Sequence, residues 1–295
     1  MSFFTTFVRQ LINGLQTGSI YALVALGYSM VYGIIMLLNF AHGDIIMIGA
    51  YIAWICMARF ALNPIIAIIA CILGSTLLGI TIEKVAYKPL RSSPRISLLI
   101  TAIGVSFLLE NAAQLIFGAN AQTIPSFFEF PNLTLGNIIF PGNALITIII
   151  TAASMILLTL LIQKTKMGKA MRAVSSDMGA AQLMGININR TVSFTFAIGS
   201  ALAGIGSILY CTAYPQATST MGSMLGLKAF VAAVLGGIGS IPGAMIGGFA
   251  IGIAEALVSA IGLSVWKDGV VFAILIVVLL VKPSGIMGHV TQEKV

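Results

Sequence analysis

Three long stretches of the chain carry no Asp, Glu, Lys or Arg. They cover residues 10–41, 130–163 and 191–227, and the first alone is 32 residues long. A helix crosses the ~30 Å hydrocarbon core of a bilayer with about 20 apolar residues, whereas about a quarter of an ordinary soluble domain is charged. Here only 8% of the residues are charged and 59% are hydrophobic. The pattern predicts a protein that crosses a membrane several times.

The same pattern predicts an all-α integral membrane protein, a polytopic bundle of about nine transmembrane helices with Gly/Pro-broken segments. Helix is expected because lipid cannot satisfy backbone N–H and C=O groups, and the short alternating segments of a membrane barrel are missing. Eight and ten helices are the alternatives. We expect residues 1–295 to form a single transmembrane domain. The predicted segments lie near residues 11–36, 44–58, 62–82, 96–118, 144–162, 191–213, 226–241, 243–262 and 268–281.

Basic residues predict how these helices are oriented. The loops 83–95 and 163–190 hold nine of the 15 Lys and Arg residues, and none lies between Arg95 and Lys164. Lys and Arg gather in short cytoplasmic loops. Both loops are therefore predicted to be cytoplasmic, and residues 119–143 are predicted to face outward.

The same rule orients the two ends of the chain. The C-terminal tail, with Lys282 and Lys294, is predicted to lie in the cytoplasm. Counting back three helices from the loop 83–95 places the N-terminus outside. That assignment leaves Arg9 and Arg59 facing outward, against the rule.

Composition also limits the kind of partner and chemistry. The net charge of +7 is accounted for by the orientation rule, so we expect a lipid bilayer and no nucleic acid as partner. The sequence has no phosphate-binding loop, no Cys/His cluster with metal-ligand spacing and no serine in a G-x-S-x-G context. We expect no cofactor, no metal and no catalysis in this chain.

The loop 163–190 is 28 residues long and has internal order. Residues 170–174 are predicted to continue the preceding helix. Asp177 is a residue type that begins helices, residues 178–184 are predicted to form one or two turns, and Gly185 stands where a helix-ending glycine belongs. Such a short helix at the cytoplasmic face is either a docking element or an interfacial anchor.

Glycines mark a second feature. Gly239, Gly243 and Gly247 recur at every fourth residue, a spacing that lets membrane helices approach closely. Near the N-terminus, the stretch from Asn39 to Gly43, which includes His42, precedes the short apolar run 44–58 and is the counterpart of this glycine-rich turn. Interrupted segments in matching places point to a substrate path, and tight packing at a sharp turn is the alternative.

Two carboxylates are predicted to lie inside the membrane, Glu110 and Glu255. Charged groups there are costly and are functional candidates by default. They are candidates for a proton relay, a cavity lining or caps on neighbouring backbone. His42, Asp44 and Lys228 lie nearer segment ends, where we expect the interface to solvate them. With a proton relay, the chain would be a stand-alone proton-coupled transporter of small neutral solutes that uses Glu110 and Glu255. We keep this as an alternative to the function that the motifs below imply.

Four long motifs, residues 18–51, 83–93, 165–190 and 228–248, together resemble one family. They are similar in sequence and order to the LivH-type permease subunits of bacterial high-affinity branched-chain amino-acid ABC importers. The likeness runs through essentially the whole chain.

The resemblance implies a function and a set of partners. The substrates would be leucine, isoleucine and valine, with other neutral amino acids, urea or amides left open. The path would form with a second, LivM-like permease chain in the bacterial inner membrane, two ABC ATPase subunits would bind the ATP, and a periplasmic amino-acid-binding protein would deliver substrate.

The resemblance also assigns residues. The loop 163–190 would be the coupling segment that docks on an ATPase, and Gly168, Arg172, Asp177 and Gly185 are the positions that match the family there. Asn39, His42, Glu110, Gly239, Gly243 and Glu255 remain the candidates for the translocation path.

Overall fold

A computed structural model describes residues 3–36, 39–91, 93–128, 130–135 and 138–288. Within these residues the chain forms eleven α-helices and four strands of two or three residues. The helices are α1 (Phe3–Ile35), α2 (His42–Trp54), α3 (Pro64–Ile82), α4 (Arg95–Phe117), α5 (Gly142–Lys164), α6 (Lys166–Ser176), α7 (Met178–Leu183), α8 (Ile188–Ala213), α9 (Met221–Gly236), α10 (Ile241–Ala260) and α11 (Lys267–Val281).

Short non-α elements complete the chain. Strand β1 (Gln122–Thr123) pairs antiparallel with β4 (Gln216–Ala217), and β2 (Leu133–Leu135) pairs with β3 (Ile138–Phe140). The described residues of the loop 119–143 form irregular backbone and three of these strands up to the first residues of α5. Single π-helical turns follow α2 and α3, at Ile55–Arg59 and Glu83–Tyr87.

The predicted fold class is confirmed. Seven helices of the described residues are long and apolar enough to cross a bilayer: α1, α3, α4, α5, α8, α10 and α11. The predicted segments 44–58 and 226–241 instead correspond to the shorter helices α2, of 13 residues, and α9, of 16 residues. At 1.5 Å per residue these span about 20 Å and about 24 Å, less than the hydrocarbon core. The predicted count of about nine is therefore approximate.

The chain divides into two compact units. The larger unit comprises Met30–Glu129 and Ile156–Leu227, and at its centre α2, α3 and α8 pack on one another. Small residues allow the close approach: a Cβ on Gly49 would lie 2.9 Å from Ser75 Oγ and 3.0 Å from Ser207 Oγ.

The second unit comprises Met1–Ser29, Phe130–Met155 and Lys228–Val295. Here α10 packs on α1 through glycines, because a Cβ on Gly248 or Gly252 would overlap the backbone of Ala22 or Gly18. Residues near the C-terminus close the end of α9, where the amides of Ile286 and Met287 donate to the last carbonyls of that helix, each over 2.9 Å.

Candidate functional site

The loop 163–190 begins with a break that sequence reasoning missed. Residues 170–174 were expected to continue the preceding helix, but α5 ends at Lys164 and a separate helix, α6, starts at Lys166. Thr165 between them is extended (φ −90°, ψ 159°). Its hydroxyl accepts a hydrogen bond from the Gly168 amide over 3.0 Å, which caps the new helix. We name residues 165–190 the cytoplasmic segment, after their predicted side.

Gly168 and Arg172 hold the turn between α5 and α6. A Cβ on Gly168 would overlap the carbonyls of Leu161 and Ile162, so the close approach requires glycine. The Arg172 guanidinium donates to the Ile162 carbonyl over 2.5 Å, at the end of α5 where helix carbonyls lack a partner. Both predicted residues therefore shape the segment from within.

Asp177 and Gly185 bound the short helix α7, as the sequence predicted. The Asp177 carboxylate accepts from the Ala180 amide over 2.9 Å, and Gly185 has a φ of +80°, a conformation that favours glycine. Between these ends, the side chains of Leu183 and Met184 are 90% and 81% exposed. This apolar pair at a surface is unusual enough to suggest a contact.

A polar cluster at the start of α8 ties the cytoplasmic segment to the loop 83–95. Buried Glu83 lies 2.7 Å from the Arg91 guanidinium and accepts from the Ser193 hydroxyl over 2.6 Å. Arg91 also donates to the Asn189 side chain over 2.8 Å. Sequence reasoning used Arg91 only for orientation, because the partners of this cluster on α8 are about a hundred positions away in the chain.

Asn39 and His42 lie at the start of α2, and both are buried. The Tyr87 hydroxyl, on the π-helical turn after α3, donates to Asn39 Oδ1 over 2.8 Å. His42 is the first residue of α2. The structure thus places these two path candidates at one point inside the larger unit.

Glu110 lies on α4 in the same unit and is half-buried. Its carboxylate accepts a hydrogen bond from the Ser223 hydroxyl, in the first turn of α9. Asp44, in the first turn of α2, has no exposed surface and interacts electrostatically with Glu110. The expectation that the interface solvates Asp44 and His42 was wrong, because α2 begins inside the packed unit.

Glu255 lies in the second unit beside a lysine. Lys228 Nζ lies 2.7 Å from Glu255 Oε1 and 2.6 Å from Asp268 Oδ1. The Tyr21 hydroxyl donates to Glu255 Oε2 over 3.0 Å. Lys228 is buried as well, which corrects the expectation that the interface solvates it. A buried carboxylate needs such a partner, because its desolvation otherwise costs several kcal/mol.

Gly239 and Gly243 both lie near the turn between α9 and α10. Gly243 lies in the first turn of α10, where a Cβ would overlap the Gly236 carbonyl, and Gly247 likewise faces Ala232. Gly239 is not on that helical face, since it precedes α10 and has a φ of +90°. The regular spacing therefore combines one turn residue with two packing residues.

Among the described residues, no group of three His, Cys, Asp or Glu side chains is placed to hold a metal ion. The polar groups instead bond to one another, to helix ends and to a lysine. Taken with the seven long apolar helices, they define a polytopic helical membrane protein with a structured segment outside its membrane helices.

Comparison with known proteins identifies the family. The family described as "Branched-chain amino acid transport system / permease component" matches residues 10–279. The chain is 42% identical to the high-affinity branched-chain amino acid transport system permease protein BraD of Pseudomonas aeruginosa, covering 98% of each chain. It is 43% identical to the corresponding permease protein LivH of Escherichia coli K12, covering 99% of each.

A relative and a solved structure are similar to this chain at lower sequence identity. A probable branched-chain amino acid transport permease protein LivH of Methanocaldococcus jannaschii is 30% identical, over 92% of this chain and 89% of its own length. Among solved structures, PsaBC from Streptococcus pneumoniae in complex with Fab matches with a TM-score of 0.47 and 16% identity, over 92% of this chain and 91% of that one.

The chain therefore belongs to the family of branched-chain amino-acid transport permease components. It is a multi-pass membrane protein whose relatives are transport permeases.

Proposed function

We propose that this chain is a permease subunit of an ATP-binding-cassette importer that carries leucine, isoleucine and valine across the bacterial inner membrane. A second, LivM-like permease chain completes the path, two ATPase subunits bind and hydrolyse ATP, and a periplasmic binding protein supplies the amino acid. The chain itself is no enzyme and holds no cofactor. The names of relatives that cover nearly its full length support the substrate class.

The exposed pair Leu183 and Met184 carries the docking part of the proposal. Both side chains lie at the end of a helix that is capped by Asp177 and closed by Gly185. A rigid apolar projection of this kind loses little conformational entropy when a partner covers it. Gly168 and Arg172 hold the base of the segment, so all four matched positions act by positioning the projection.

A route for transmission accompanies the docking surface. Arg91 bonds both to Asn189, in the first turn of α8, and to buried Glu83 on the π-helical turn after α3. The same turn holds Tyr87, which bonds to Asn39 before α2. A shift of the cytoplasmic segment is therefore passed, through hydrogen bonds, to the start of a short membrane helix.

The proposal takes its orientation and domain organisation from the sequence. We infer that the loops 83–95 and 163–190 and the C-terminus are cytoplasmic and that the N-terminus is periplasmic, from the distribution of Lys and Arg. Lys294, used in that inference, lies outside the described residues. Residues 1–295 act as one transmembrane permease domain with the coupling loop inside it.

The experiment replaces both docking side chains by glutamate in the full complex. Leu183→Glu with Met184→Glu is expected to reduce the ATPase subunits that co-purify by at least about tenfold, a change of ~1.4 kcal/mol in binding free energy. The control is Val265→Glu, which alters a side chain that is 94% exposed between α10 and α11. Full retention of the ATPase subunits by the double variant would contradict docking at α7.

Leucine uptake into vesicles that contain the full complex separates an importer from a proton-coupled carrier. With ATP maintained, a protonophore is expected to leave uptake unchanged. Glu110→Gln and Glu255→Gln are expected to keep uptake within about tenfold, the scale of one altered hydrogen bond. A folded variant that lost uptake and proton dependence together would favour the carrier.

A further inference from the structure

Two short helices start side by side within the larger unit. Gly43, in the first turn of α2, packs against the first turns of α9, since a Cβ there would overlap the Gly222 carbonyl and lie 3.0 Å from Gly226 Cα. A Cβ on Gly222 would in turn lie 2.7 Å from Asp44 Oδ1. Two glycines thus allow the two helix starts to meet directly at Asp44.

Asp44 is a buried carboxylate that no Lys or Arg among the described residues neutralises. It has no exposed surface, and neither oxygen meets a donor in hydrogen-bonding geometry among the described residues. Ser106 and Glu110, both on α4, are its polar neighbours. The Glu110 carboxylate, which adds a second negative charge, is already bonded to the Ser223 hydroxyl.

Three other carboxylates of the chain do have a cation as partner. Glu255 and Asp268 share Lys228, at 2.7 Å and 2.6 Å, and Glu83 has Arg91 at 2.7 Å. None of these three ion pairs, which are the only ones among the described residues, includes Asp44 or Glu110. The positive end of α2 stabilises the Asp44 anion, but a helix terminus offsets less than the desolvation of a buried charge.

The missing cation is one that an amino-acid substrate carries. We propose that Asp44 binds the α-ammonium group of the transported amino acid, and that the neighbouring charge of Glu110 strengthens this attraction. An ammonium group has three N–H donors, which match the two free oxygens of Asp44 and the hydroxyl of Ser106. This inference rests on the proposed function as an amino-acid permease.

Because Asp44 is fully covered, the amino acid reaches it only when the path opens. The contact of α2 with α9 at Gly43 and Gly222 closes over this carboxylate. Binding of the ammonium group therefore requires a change at the starts of these two helices. The bond of Glu110 to Ser223 lies in the same first turn of α9.

The test uses radiolabelled L-leucine and the purified complex of this chain with the second permease chain and the ATPase subunits, without the periplasmic binding protein, which would bind leucine itself. Binding of leucine is expected to be competed by 3-methylbutylamine, which keeps the amine, and far less by 4-methylpentanoate, which lacks it. Asp44→Asn is expected to weaken leucine binding at least tenfold and to abolish the preference for the amine. Asp44→Glu, which keeps a carboxylate, is expected to restore part of both.

The matched control makes the same change, from Asp to Asn, at Asp268, a carboxylate that is already paired with Lys228. Asp268→Asn leaves Lys228 paired with Glu255 and is expected to keep leucine binding within twofold. If Asp44→Asn fails to fold, the competition on the unaltered complex still decides. Three results would overturn the ammonium site. The acid and the amine could compete equally, or Na⁺ could compete in place of the amine. A complex that imports leucine could also fail to bind it. A complex that imports no branched-chain amino acid would instead contradict the proposed function.

Discussion

At the residue scale, the cytoplasmic segment is organised by groups that satisfy helix ends. Thr165 and Asp177 accept from the first amides of α6 and α7, and Arg172 donates to a carbonyl at the end of α5. Each such cap contributes about 1 kcal/mol, which is large for helices of 11 and 6 residues that are too short to be stable alone. Substitutions here are expected to misplace the docking surface without removing it.

Gly185→Val tests that expectation with Gly179→Ala as its control. Gly185 has a left-handed backbone (φ +80°), where a side chain costs about 1–2 kcal/mol and a β-branched one more. Gly179 lies within α7 and has room for a Cβ, whose nearest neighbour would be Asp177 Oδ1 at 3.4 Å. We expect Gly185→Val to insert normally and lose at least about tenfold in uptake, and Gly179→Ala to keep it. Normal substrate-stimulated ATPase activity in Gly185→Val would count against the docking role.

At the element scale, glycine faces determine which helices meet. Gly248 and Gly252 bring α10 against the backbone of α1, and Gly243 and Gly247 bring it against α9. Membrane helices gain little from hydrophobic burial against one another, so close backbone contact supplies much of their association. A Cβ on the α10 face that contacts α1 therefore separates the two helices.

Gly248→Ala is expected to destabilise the protein, and Gly104→Ala is not. The added Cβ overlaps the backbone of Ala22 in the first case and meets nothing within 4 Å in the second. Overpacking costs about 1–3 kcal/mol, whereas alanine in a helix interior gains about 0.5–1 kcal/mol over glycine. Thermal unfolding of both variants in detergent measures the difference, and equal midpoints would refute the proposed packing role.

At the scale of the whole molecule, hydrogen bonds bring together two loops that the charge rule had placed on one side. Arg91, in the loop 83–95, bonds to Asn189, in the loop 163–190. This contact lies within one compact unit. The distribution of Lys and Arg predicts that the two loops lie on one side of the membrane. The hydrogen bond between Arg91 and Asn189 is consistent with that prediction.

Cysteine labelling tests which face that is. Ser126→Cys is expected to react with an impermeant thiol reagent in intact cells, and Gln182→Cys only after the membrane is opened, since both positions are exposed. The native cysteines Cys56, Cys71 and Cys211 are buried and free, so the background is low. Reaction of Gln182→Cys from outside would reverse the orientation.

Local physics made much of the fold predictable from the sequence. Hydropathy over windows of about 20 residues was enough for the fold class and for most helix positions, and residue types alone were enough for the caps at Asp177 and Gly185. These features depend only on neighbours within a few residues or on the bilayer. The break at Thr165 was missed because the residues after it have good helical propensity, while the cap that begins the new helix is a single hydroxyl.

Tertiary structure decided which polar groups are buried and what they bond to. Lys228 is 27 positions from Glu255, and nothing in either segment marks their ion pair. Asp44 sits in the first turn of a short helix, where an interface would solvate it, until α4 and α9 cover it. The free energy of a charge depends on the atoms packed around it, and those atoms come from distant parts of the chain. The sequence thus determined that this protein spans a membrane as a helical permease, and only the packed structure decided where an uncompensated charge remains.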